Sequence, residues 1–130
     1  SQKCIRDRVR VGYITKMKNN DIKILWNEKR QYLDELTEKM KDSMYVTFSL
    51  LEMYDKSPEE EKPGINEVLA DWLLSDDGKA RYDARFIIGE RVIKSLKSTV
   101  EKAIALGKQR SGPSAIDEVE VLENLLNELK

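Results

Sequence analysis

The sequence predicts an all-α fold of six or seven helices joined by short loops, on three observations. Apolar residues recur at i, i+3, i+4 and i+7 along most of the chain. After residue 20 no stretch alternates apolar and polar residues for the length of a strand, and Asp77-Gly78, a hairpin-type dipeptide, sits between helical stripes. Polar clusters at residues 19 to 21, 75 to 78 and 111 to 114 punctuate those stripes. The organising stretch runs from Trp72 to Ile88, a helix, a tight polar turn and a second helix. On a 3.6-residue wheel that second helix sets Ala80, Ala84, Ile87 and Ile88 on one side and Tyr82, Phe86, Gly89 and Ile93 nearly opposite. It is expected to have neighbours on both sides, with Arg81 and Arg85 on one intervening strip and Lys79, Asp83 and Glu90 on the other.

A chain of 130 residues forms one domain with a single core, and 40% hydrophobic residues exclude a wholly disordered chain. The charged fraction of 36% requires a surface dense in both signs. No apolar run approaches the roughly 20 residues that span a bilayer, and no signal-peptide pattern is present, so a cytoplasmic protein is expected. The single cysteine, Cys4, forbids an intrachain disulfide and any multi-cysteine metal site. Histidine is absent, which removes the commonest general base, the commonest metal ligand and every Ser-His or Cys-His pair.

Residues 1 to 18 set six cations against the single acid Asp7, a local net of +5 that leaves −6 for the remainder. Residues 8 to 13 alternate like a strand, while Ile5, Val9 and Tyr13 also fit a helical stripe, and both alternatives stay open. This basic segment is read as a solvated first element pairing with the acidic rest of the domain; its other reading is an arm for nucleic acid or an acidic lipid surface. Asn20 is placed to cap a long helix with Ile22, Leu25, Trp26, Leu33, Leu36 and Met40 on one face. Met44, Phe48, Leu51 and Tyr54 then restart the pattern after a break near Asp42-Ser43, because one helix from 21 to 55 would be about 50 Å long. Trp26, Tyr45 and Phe48 are read as core, with a hidden dimer patch as the alternative. Ser57-Pro58-Glu59-Glu60 has the form of a capping box, which Pro63-Gly64 then punctuates; the acids of residues 59 to 61 suit a helix start.

Ile65, Val68, Leu69, Trp72 and Leu73 follow the helical pattern without a miss, and Asp76 or Asp77 caps the next helix. Ser95 is placed to cap the stripe Leu96, Val100, Ala103, Ile104 and Gly107. Ser114 and Asp117 have the form of the last helix start, and that helix is expected to bury Ala115, Val119, Leu122, Leu126 and Leu129. Asp117, Glu118, Glu120, Glu123 and Glu128 are left to its outer side.

No phosphate-binding glycine loop, HExxH, EF-hand loop or CxxC pair occurs. The carboxylate pairs Asp76-Asp77 and Asp117-Glu118 could divide acid and base roles or hold Mg²⁺, but adjacent acids at helix starts are what capping alone produces. Cys4 beside Lys3, Arg6 and Arg8 has a setting that lowers a thiol pKa, and is read as incidental. A non-catalytic binding protein without cofactor or metal is expected.

Residues 73 to 84 (LLSDDGKARYDA) resemble the turn and second-helix start of a HEAT-type helical repeat, with Arg81 and Ala84 at the positions of its arginine and small residue. The resemblance extends over residues 64 to 129, the second helix pair being more degenerate, and a bundle with repeat-like packing is the other arrangement. Small, charged helical proteins of this kind are similar to immunity proteins of bacterial polymorphic and contact-dependent toxin systems. That resemblance implies a protein that binds and blocks a cognate toxin domain. A basic nuclease domain would be steered to an acidic face, for which the candidates are Asp71, Asp76, Asp77, Asp117, Glu118 and Glu120. Those residues share a face if the turns at 75 to 78 and 111 to 114 lie at one end of the array. Two further readings are a scaffold whose groove holds a partner helix and a nucleic-acid-binding repeat protein. The second lacks a continuous basic surface, since Lys79 lies about 120° or more from the Arg81 and Arg85 strip.

Overall fold

Helix α1 (Asn19–Met40) carries 22 residues and stops because the chain turns at Asp42, whose side chain accepts a hydrogen bond from the Tyr45 amide and caps α2 (Ser43–Lys56). The computed structural model describes residues 18–40 and 42–130. The basic segment, with its helix and strand alternatives and Cys4, lies outside the described residues. A 3₁₀ turn (Glu59–Glu61) leads into α3 (Lys62–Leu73), followed by α4 (Gly78–Arg91), a 3₁₀ turn (Lys94–Leu96), α5 (Lys97–Gln109) and α6 (Pro113–Glu128). The fold is all-α, with six α-helices and no strand among the described residues. No described helix is long and apolar enough to cross a membrane. The chain divides into two compact units, one ending at Val68 and one spanning Leu69–Lys130.

In the first unit α1 buries Ile22, Leu25, Trp26 and Leu33 as its periodicity requires, with Leu36 half-buried. The helix begins at Asn19, so Asn20 is not its cap; the Asn19 amide instead donates to Glu67 of α3 at 3.0 Å. Close approach at that point depends on Gly64, where a Cβ would stand 2.7 Å from Ile22 Cδ1 and 2.8 Å from Asn19 Oδ1. In α2 the buried set is Val46, Thr47, Leu50, Leu51 and Tyr54, while Tyr45 and Phe48 are 42% and 55% exposed. Their expected core role is thereby corrected. The face α2 buries runs through Val46, Leu50 and Tyr54 at helical spacing, and Tyr45 and Phe48 fall to either side of it.

Ser57 does not start a helix. Its hydroxyl donates to the Met53 carbonyl at 2.7 Å, closing the end of α2, and the 3₁₀ turn behind it has Pro58 as cap without a side-chain bond. Pro63 likewise opens α3 rather than ending a helix, as suits a residue lacking an amide hydrogen in a first turn. Glu61 is buried, so residues 59 to 61 form no continuous acidic surface.

In the second unit α4 buries Ala80, Ala84, Ile87 and Ile88 on the expected face. The opposite face is only partly covered: Tyr82 and Phe86 are half-buried, their ring centroids 6.4 Å apart. Asp83, assigned by the wheel to a charged outer strip, is fully buried. Helix α4 ends on Val92 in the left-handed region (φ 48°, ψ 59°), and α5 begins after Leu96 with no side-chain cap, so Ser95 does not serve as one. The stripe from Leu96 to Gly107 is buried as expected. Gly107 lets α5 and α6 approach, since its Cβ would meet Val119 Cγ2 at 2.8 Å. Gly112, at φ 102°, caps α6 with Pro113 at the first helical position, which displaces the helix start expected at Ser114 and Asp117. Helix α6 buries Leu122, Leu125 and Leu129, with Ala115, Val119 and Leu126 half-buried.

Candidate functional site

The turn between α3 and α4 and the loop between α5 and α6 meet at one end of the second unit. Arg81, on the first turn of α4, donates from Nε to Glu118 Oε2 at 2.7 Å and from Nη2 to Glu118 Oε1 at 3.2 Å, a two-pronged grip on one carboxylate. Its Nη1 donates to the Ser75 carbonyl at 3.0 Å, and Arg110, at the end of α5, donates to the same oxygen at 3.3 Å. Arg110 Nη2 also stands 3.9 Å from Asp76 Oδ1. Arg85, one turn after Arg81, lies 3.8 Å from Glu118 and 4.9 Å from the Tyr82 ring centroid. Three guanidinium groups therefore surround one carboxylate and one carbonyl, joining four segments of the unit.

Burial works to raise the Glu118 carboxyl, but the Arg81 hydrogen bonds and the charges of Arg81, Arg85 and Arg110 outweigh it and hold the group below the ordinary carboxylate range. The hydrogen bonds to Glu118 raise Arg81. Burial lowers Arg85, which stays charged because a guanidinium starts so high.

Among the six sequence candidates, Asp71, Asp76, Asp77, Asp117 and Glu120 are exposed. Glu118 is the correction. It occupies the helical phase of Leu122, Leu125 and Leu129, so it turns inward with them and its charge is engaged by Arg81. Asp77 carries a second duty, accepting from the amides of Lys79 and Ala80 as the cap of α4. The expected juxtaposition of the two turns holds, because Arg110 ties the second to Ser75 of the first. The arginines that make this tie were not candidates. Arg81 and Arg85 shared a strip by spacing, and Glu118 lay in register with three leucines; only the pairing between them required the fold.

The acidic surplus is unevenly placed. Residues 19 to 68 hold twelve acids and seven bases, whereas residues 69 to 130 hold eleven acids and ten bases. The acidic character of the turn end is thus local, set by Asp76, Asp77, Asp117 and Glu120 beside inward-turned arginines. Among the described residues no cluster of carboxylates or thiols converges in a way that would hold a metal ion. No protein family, curated protein or solved structure matches this chain.

Proposed function

We propose that this protein is a non-catalytic binding protein that captures a basic protein partner at the turn end of its second unit, as an immunity protein captures a toxin domain. The supporting observation is the Arg81 and Arg110 framework, which ties together two turns carrying exposed carboxylates from separate segments. Asp76, Asp117 and Glu120 stand on that framework, and a rigid array loses less conformational freedom on binding than a loose one. Asp71 lies in the last turn of α3, leading into the same end. A basic nuclease domain is the partner chemistry this edge would steer.

The test is capture of partners from the native organism's lysate, identification by mass spectrometry, and titration with purified components. A single stoichiometric partner, toxic when expressed alone and silenced by this protein, is the expected result. The combined variant Asp76→Lys, Asp117→Lys should weaken that complex at least tenfold with the helical content unchanged. Recovery of nucleic acid, or a complex indifferent to both substitutions, would overturn the proposal. Asp77 is unsuitable for this purpose because replacing it also removes a helix cap.

A further inference from the structure

We draw no further inference here: the strongest candidate, the hollow of about 290 Å³ between α4 and α6 lined by Arg85, Phe86, Val121 and Asn124, carries nothing, because Arg85 belongs to the site already described, where Glu118 and the Tyr82 ring engage it, and nothing in the structure shows what covers the apolar wall that remains.

Discussion

In the unit ending at Val68, Thr37 donates to the carbonyl of Asp34, Ser57 to that of Met53, and Arg30 pairs with Asp34, all within one helical turn. In the unit beginning at Leu69, Arg81 reaches Glu118 across 37 positions and Arg110 reaches Ser75 across 35. In the first unit Asn19 reaches Glu67 across 48 positions, and that bond is exposed. Bonds inside one turn form whenever the helix forms and place no helix against another. Bonds across 35 positions exist only after α4, α5 and α6 have assembled, so the second unit ties its polar chemistry to its tertiary packing. In the first unit the large side chains buried completely or nearly so include Trp26, Leu33, Leu50 and Ile65.

Substitution should separate the two strategies. Trp26→Ala removes the largest fully buried side chain of the first unit and should cost about 3 to 5 kcal/mol in urea denaturation. A cost below about 1 kcal/mol would contradict the dominance of apolar packing there. Arg81→Ala leaves the half-buried Glu118 without its principal partner and should cost about 2 to 3 kcal/mol. Its counterpart in the first unit, Lys56→Ala, removes an exposed pair with Glu52 one turn away and should leave the urea midpoint unchanged within error. Equal losses for the two would erase the contrast.

Acid sharpens the same comparison. The folded pKa of Glu118 is depressed, so its contribution is complete above the unfolded carboxylate value of about 4.3 and drains as pH falls through the folded value. The urea midpoint of Glu118→Gln should therefore change less between about pH 6 and about pH 3 than that of wild type. Parallel profiles would show that the clasp contributes nothing to stability. A smaller effect is expected at the Asp77 cap: Asp77→Ala should cost about 1 kcal/mol, and Asp77→Asn should retain most of it. At the other end of α4, Val92→Gly should raise the melting temperature modestly, because a β-branched residue in the left-handed region carries a penalty of about 1 kcal/mol that glycine avoids.

Much of the fold was legible because helical periodicity is local. The stripes from Ile65 to Leu73 and from Leu96 to Gly107 are buried residue for residue, and the Asp77 cap is where its spacing placed it. Boundaries were less legible, since Ser57, Ser95 and Ser114 are all competent caps and none starts its helix. Ser57 found a nearer partner in the Met53 carbonyl, Leu96 caps α5, and Gly112 with Pro113 set the start of α6 two residues before Ser114 could. At the site, the exposed acids around the two turns were legible and the arginine framework beneath them was not. Glu118 shows why: its acidity suggested solvent, and its phase with Leu122 and Leu125 suggested the interior. A half-buried cation on another helix, Arg81, decided between them.

Trp26 is fully buried in the first unit and Trp72 almost so in the second, and the chain has no others. Each unit thus contains its own intrinsic fluorophore. Replacing either with phenylalanine leaves an emission signal from one half only, and a pair of such proteins reports whether the halves melt as one cooperative body or in succession.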